Sequence, residues 1–368
     1  MSSIFSLIKP DKKPPWKIIA PLLLVVVLAA GWSVYWLVAS ARAMEILDQV
    51  LARERAKGLE ISCSRRDMSG YPFKFLLICD KLKIIRQTPL RQTGLTARRL
   101  VVVVQAYNFN HMIGELYGPF EITAGRPDAA AGQTRKLFSG TAKTIRSSLI
   151  LKNRVLKQAT VVIRGLSGTL VDYSNKGRPQ NITTDLKEAI AHVRSTQDTS
   201  RPSGGYETAS IVKDLVLVGG VANIKSDKGL RFDSFKARMK VSNAPYQLTG
   251  NLLDWLKIWK ANKGEAVITE MNATSGSVKL DGSGHFNLDN LGRARGILNT
   301  RMTGLDSLIK ELVASGRIRE KDANLGLAAI NLLGNAGARG VKVALRAQKG
   351  NVYFGPFKVA ILKPLFVP

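Results

Sequence analysis

The sequence has few of the side chains that carry catalysis and metal binding. Its 368 residues include two cysteines and three histidines, and 27 acidic residues stand against 55 lysines and arginines. The histidines, His111, His192 and His285, are far apart in the chain, and there is no Gly-x-Ser-x-Gly, His-Glu-x-x-His or P-loop motif. The sequence therefore predicts a protein that is not an enzyme, with no catalytic, cofactor-binding or metal-binding residues.

An enzyme of an unrecognised type stays open as an alternative. His111 lies in the stretch YNFNHMIGELYGPF, whose aromatic side chains could line a pocket, although a histidine satisfied inside a core is commoner. A cleft that brought His111 together with Glu115 or Glu121 would favour the enzyme hypothesis.

Charge is missing altogether from residues 18–39, and this absence predicts a membrane anchor. As a helix these 22 residues would span roughly 33 Å, enough to cross a bilayer core. Aromatic residues lie toward both ends, as in an interfacial belt: Trp16, Trp32, Tyr35 and Trp36. Lysines precede the run, so we expect residues 1–17 to be a cytoplasmic tail, residues 18–39 a transmembrane helix, and the remainder to be exported. A cleaved signal peptide is the alternative, because Ala41-Arg42-Ala43 resembles a cleavage site.

The chain beyond the anchor changes from helical to strand-like texture. Residues 40–58 continue a helical pattern that stops at Gly58, and we interpret them as a juxtamembrane helix. Residues 59–368 show short alternating runs separated by turns, which predicts a mainly β domain: a large, elongated antiparallel sheet forming a groove or a sandwich. A polar linker at 195–210 divides it into possible halves, 59–194 and 211–368. Sparse helices are predicted at 186–195, after a capping box of Asp185 and Glu188, and at 251–262, 305–315 and 322–333.

The two cysteines, Cys63 and Cys79, lie on either side of the turn Gly70-Tyr71-Pro72. A hairpin centred there would set them opposite each other, with Phe73, Phe75 and Leu77 pointing inward. No further metal ligand is close and there is no Cys-x-x-Cys motif, so a structural disulfide in an oxidising compartment is the favoured interpretation. Two buried free thiols are the alternative.

The excess of basic residues gives a net charge of +28. In an exported domain this charge would not serve nucleic acid, and we expect it to draw the protein toward anionic lipid or another acidic envelope polymer. Trp255 and Trp259 lie on the predicted helix 251–262 with Lys257, Lys260 and Lys263, a combination that suits a membrane-interface contact. The alternative is that Trp259 packs into the core against the sheet and that the lysines are solvated.

Two segments resemble a known family. SCSRRDMSGYPFKFLLICDKL, with its Gly70-Tyr71-Pro72-Phe73 turn between two cysteines, and the closing VALRAQKGNVYFGPFKVAILKPLF are similar to the Gram-negative family called domain of unknown function 2125. The resemblance implies a single membrane anchor and a β-rich exported domain, and it supplies no activity. More distantly, hairpin-rich sheets behind one anchor are similar in style to AsmA-like envelope proteins, which handle lipids.

Together these features favour a non-enzymatic protein of the inner membrane whose periplasmic domain binds a lipid or another hydrophobic or anionic envelope component. The alternative hypothesis is a periplasmic scaffold that holds another envelope protein. No cofactor is expected in either case.

Overall fold

The fold is known from a computed structural model of the chain. The structure describes residues 16–88, 91–126, 134–152, 155–173, 179–196, 204–221, 224–245, 252–314, 319–321, 324, 328, 340–354 and 357–366.

The described part of the chain begins with one long helix, α1 (Trp16–Ala56), in which the two helical segments predicted at 18–39 and 40–58 are continuous. The helix ends where the left-handed backbone of Gly58, with φ of 81°, closes its last turn through a hydrogen bond from Gly58 N–H to the carbonyl of Arg55. Forty-one residues make a helix roughly 60 Å long. By length and composition it is apolar enough to cross a membrane, and it is the one such helix in the described part of the chain.

All sixteen described strands belong to a single antiparallel sheet, so the predicted fold class is confirmed. Neighbours in the sheet are neighbours in the chain, except that β1 and β2 both pair with β3. The strands are β1 (Leu59–Ser62), β2 (Arg65–Ser69), β3 (Lys74–Gln87), β4 (Gln92–Gln105), β5 (Asn108–Gly125), β6 (Arg135–Lys152), β7 (Val155–Asp172), β8 (Gln180–Ser195), β9 (Gly204–Val221), β10 (Ile224–Ala244), β11 (Glu265–Ser275), β12 (Val278–Leu288), β13 (Ala294–Thr303), β14 (Val341–Gln348), β15 (Asn351–Phe354) and β16 (Phe357–Ile361).

The sheet is an open meander, because each strand returns beside the one before it. The turns therefore alternate between two opposite edges of the sheet. We call the edge that carries the turns after β2, β4, β6, β8, β10, β12 and β14 the α1 edge, since α1 contacts it at residues 70–74 and 106. Because β8 and β9 pair along most of their length, one sheet continues across the predicted linker at 195–210. The division into two halves stays a prediction.

Two short helices interrupt the meander, and both were predicted. The helix α2 (Leu252–Ala261) lies between β10 and β11 at the α1 edge, and α3 (Leu305–Ala314) follows β13 at the opposite edge. The fourth predicted helix, near 322–333, lies for the most part outside the described residues.

The helix predicted at 186–195 is wrong, because these residues belong to β8. The cause is a line of irregular residues that crosses the sheet. Lys187 is skipped in the pairing with both neighbouring strands, opposite Gly165 on β7 and Asp214 on β9, which both have positive φ. The skipped residue separates the inward-facing Leu186 and Ala189 by three positions instead of two. This spacing imitates the period of a helix.

Candidate functional site

The first hairpin is joined by the predicted disulfide. Cys63 and Cys79 are bonded, with their Cα atoms 5.3 Å apart, which confirms the prediction. The predicted register is wrong: the residue opposite Cys79 is Arg66, and Cys63 lies in the irregular link between β1 and β2. The prediction that Phe73 points inward is also wrong, since this side chain is 67% exposed in the turn before β3. Phe75 and Cys79 are buried as predicted.

One face of the sheet is apolar from β3 to β14. The strand register aligns three rows of residues across this face, and none of them carries a charge. The first row, nearest the α1 edge, is Phe75, Val104, Met112, Leu149, Ala159, Val193, Thr208, Met239, Ile268, Gly284, Leu298 and Leu345. The second is Leu77, Val102, Gly114, Ser147, Val161, Ala191, Ser210, Ala237, Met271, Gly282, Thr300 and Val343. The third is Cys79, Leu100, Leu116, Ile145, Ile163, Ala189, Val212, Phe235, Ala273, Leu280, Met302 and Val341.

This apolar face is long and only partly covered. At about 4.8 Å per strand, twelve strands extend it over roughly 50 Å. Two clusters of buried side chains lie on it: one around Leu82, Phe120 and Phe138, and one beneath α2. Between them, side chains such as Val161 remain 40% exposed. An apolar surface of this length is far larger than the patches that monomeric proteins usually leave open, and such surfaces mark binding sites.

The opposite face is charged, and cross-strand ion pairs cover it. They include Asp80 with Arg99, Glu115 with Arg146, Glu188 with Arg164 and Lys213, Glu207 with Arg194 and Lys240, and Glu270 with Arg238. A hydrogen bond from Tyr117, followed by Arg146, lowers the pKa of the Glu115 carboxyl. A hydrogen bond from Lys213 lowers the pKa of Glu188 in the same way. The sheet thus separates a water-facing side from an apolar side.

The helix α2 covers the apolar face where the first row crosses the middle of the sheet. Trp259 is 6% exposed, and its indole N–H donates to the carbonyl of Ser242 at 2.9 Å. Trp255 stacks on it, with the ring centroids 6.1 Å apart. The structure thus places this pair on the inner side of α2, and the membrane contact predicted for it stays a prediction.

A cavity of about 420 Å³ lies between α2 and the sheet. Its walls are almost wholly apolar: Leu156, Val193, Tyr206, Thr208, Met239, Val241, Trp255, Leu256, Trp259 and Ala266. The volume falls within the range of roughly 300–1,000 Å³ that is usual for small-molecule sites. No ionisable group but the Tyr206 phenol lines it, so the cavity suits an uncharged chain rather than a polar substrate.

His111 and His192 each contact a hydroxyl group on a neighbouring strand. His111 contacts Ser148 at 2.9 Å, and His192 contacts Thr160 at 2.8 Å. Glu115 is bonded to Tyr117 and Arg146, while Glu121 is paired with Lys136. Among the described residues there is no cluster of three His, Cys, Asp or Glu side chains that could hold a metal ion. The prediction that the protein is not an enzyme stays a prediction.

A second apolar feature lies where the sheet contacts α1, and sequence reasoning missed it. The turns 70–73 and 106–107 pack beside residues 32–36 of the helix. Trp32 Nε1 donates to the carbonyl of Pro72 at 2.8 Å, and Tyr35 Oη donates to the carbonyl of Ala106 at 3.2 Å. Trp36 is buried between Phe75 and Tyr71. The predicted turn motif Gly70-Tyr71-Pro72-Phe73 therefore lies in the contact between the sheet and the long helix.

Four aromatic side chains project from these two turns and from the start of β5. Tyr71, Phe73, Tyr107 and Phe109 are 54%, 67%, 71% and 54% exposed, and we call them the aromatic tip. The tip continues into the first row of the apolar face, because Phe109 stacks on Phe75 at 5.7 Å. The sequence signal was present in the spacing of these aromatics around two turns, but only the pairing of β3 with β4 brings the turns together.

Fold and site together define a class: a β-rich protein that presents one open, apolar sheet face behind a single long N-terminal helix. The family described as "Uncharacterized protein conserved in bacteria (DUF2125)" matches residues 36–363. The chain belongs to this family, as the resemblance of its first hairpin and closing strands implied. No curated protein and no solved structure matches the chain.

Proposed function

We propose that the protein is a non-enzymatic, membrane-anchored lipid-binding protein, and that the apolar face of the sheet holds the acyl chains. The observation that carries the proposal is the set of three uncharged rows across twelve strands, with the apolar cavity under α2 at the first of them. A soluble domain gains stability by burying such a surface, at roughly 25 cal/mol per Å². An acyl chain laid along the rows would provide that burial without a second protein layer.

We propose further that the domain lies in the periplasm behind an inner-membrane anchor, with its N-terminus in the cytoplasm. The long apolar helix α1 supports an anchor, and the Cys63–Cys79 disulfide supports an oxidising compartment. The net charge of +28 supports an approach to anionic headgroups.

The test is the amount of lipid that remains with the full-length protein after purification from membranes and extensive exchange into a lipid-free detergent. We expect phospholipid or a related diacyl lipid to remain bound and to appear in native mass spectra. Thr208→Asp places a carboxylate inside the cavity and should release the lipid, because burial of a charge against an acyl chain is strongly unfavourable.

Ala209→Asp is the matched control. It introduces the same charge one residue further, on the opposite face, between His192 and Arg238 of the neighbouring strands. Retention of lipid by this variant and loss by Thr208→Asp would support the proposal. A wild-type protein that carries no lipid, or equal retention by both variants, would contradict it. Specific capture of another envelope protein by the apolar face would instead support the scaffold hypothesis.

A further inference from the structure

We propose that the aromatic tip inserts into the membrane beside α1, so that the α1 edge of the sheet rests in the bilayer interface and the apolar face opens there. This inference names the membrane contact of the sheet, and it rests on the proposed function only in treating α1 as the membrane span.

The depth of the contact on α1 is the first argument. Tyr71 Oη and Ser33 Oγ lie 2.7 Å apart, and Trp32 bonds to Pro72. The first charged residue after the uncharged run is Arg42. Ser33 precedes Arg42 by nine helical positions, so the turn lies roughly 14 Å closer than that charge to the middle of the uncharged run, measured along the helix axis. If the aromatic belt of α1 lies at the membrane interface, as predicted, Arg42 lies above it on the water side and the turn 70–73 lies within the interface.

The chemistry of the tip is the second argument. Tyrosine and phenylalanine on exposed turns are costly in water, whereas aromatic rings are the side chains that favour the membrane interface. Trp32, Tyr35 and Trp36 of α1 form the predicted interfacial belt, and the tip extends that belt sideways. Tyr71 lies on Trp36 edge to face, so the helix and the sheet share one aromatic layer.

The distribution of exposed apolar side chains is the third argument. Outside α1, the most exposed large hydrophobic side chains of the described residues, from 47% at Leu291 to 71% at Tyr107, all lie on the α1 edge. Besides the aromatic tip they are Leu252, Leu291, Ile361 and Leu365. The opposite edge has no described side chain of this kind with comparable exposure. Contact with water alone would not favour the placement of all these side chains on one edge of the sheet.

The consequence is a continuous apolar route from the bilayer. Phe75 contacts Trp36 on one side and Phe109 on the other, and it is the first residue of the first row. That row leads through Met112 and Leu149 to Val193 and Met239, which line the cavity under α2. A lipid that leaves the outer leaflet beside α1 would therefore meet uncharged side chains all the way to the cavity.

Spin labels at the two edges test the inference in full-length protein reconstituted into phosphatidylethanolamine and phosphatidylglycerol nanodiscs. Phe73→Cys and Tyr107→Cys place labels at the tip, and Thr88→Cys places one at the opposite edge; the native disulfide leaves no other free thiol. We expect the ratio of oxygen to nickel-complex collisions to be higher at 73 and 107 than at 88, as for a site within the interface.

Labels at 73 and 107 that are as accessible to the nickel complex as the label at 88 would overturn the inference. High oxygen accessibility at all three sites would also overturn it, because the sheet would then lie flat on the bilayer. The result is independent of lipid in the cavity: repeating the measurement with Thr208→Asp should leave the tip labels unchanged. If the tip is inserted and the cavity is always empty, the proposed lipid binding fails while this inference stands.

Discussion

Gly264 closes the segment between α2 and β11, and its backbone N–H donates to the carbonyl of Trp259 at 2.8 Å. A Cβ atom at Gly264 would overlap the indole of Trp259. Gly264→Ala should therefore force this indole from its place against the sheet, at a cost of roughly 1–3 kcal/mol in the free energy of unfolding. Trp259→Ala alone should cost roughly 3–5 kcal/mol, because it empties a buried site.

The two changes act on one contact, so their effects should not add. In the Trp259→Ala background the alanine at 264 meets no indole, and its cost should fall to within about 0.5 kcal/mol of zero. In a Trp255→Ala background, Gly264→Ala should still lower the free energy of unfolding by most of what it costs in the wild-type protein, because the Trp259 indole is present. This background is the control. Urea unfolding of the full-length protein in detergent, followed by the circular dichroism of the sheet, measures all of these. Additive costs in the Trp259→Ala background would refute the placement of α2 over the apolar face.

Two further predictions concern the disulfide and the charged face of the sheet. Replacing both Cys63 and Cys79 by alanine should lower the free energy of unfolding by about 3 kcal/mol, which is the chain-entropy value for a loop of this size. The urea midpoint measures this loss. An unchanged midpoint would contradict the structural role of the disulfide. The hydrogen bond from Tyr117 lowers the pKa of the Glu115 carboxyl in the folded state below its ordinary value of 4.5. The ionised carboxyl therefore stabilises the folded state fully above pH 4.5. This contribution to the free energy of unfolding is lost as the pH falls through the folded-state pKa. Glu115→Gln should therefore flatten the acid dependence of the urea midpoint below pH 4.5. A curve equal to that of the wild-type protein would show that this ion pair does not act as described.

The elements that local patterns specify were predictable from the sequence. The uncharged run at 18–39, the apolar faces of α2 and α3, and the disulfide each follow from spacing or composition over a few residues. Each of these features depends on residues that are close together in the chain. A single sequence is therefore enough to predict them.

The misplaced features depend on contacts between distant strands. The skipped residue Lys187 can be recognised only from its partners Gly165 and Asp214, and without them the three-residue spacing of Leu186 and Ala189 fits a helix. The register of the first hairpin depends on both β1 and β2 pairing with β3. The aromatic tip requires two turns and α1 to meet, and Phe73 by itself fits an inward-facing strand position as well as an exposed turn.

A pair of valines in the middle of the sheet gives the sharpest test of whether the apolar face holds acyl chains. Val161 lies in the second row of the apolar face, opposite Ser147 and Ala191, while Val162 lies on the charged face beside Arg146. A photoreactive benzoylphenylalanine at each position, in the full-length protein in its native membrane, reports what contacts either face. We expect lipid adducts at position 161 and none at 162. Adducts at 162 alone, at both positions equally, or at neither would contradict this expectation.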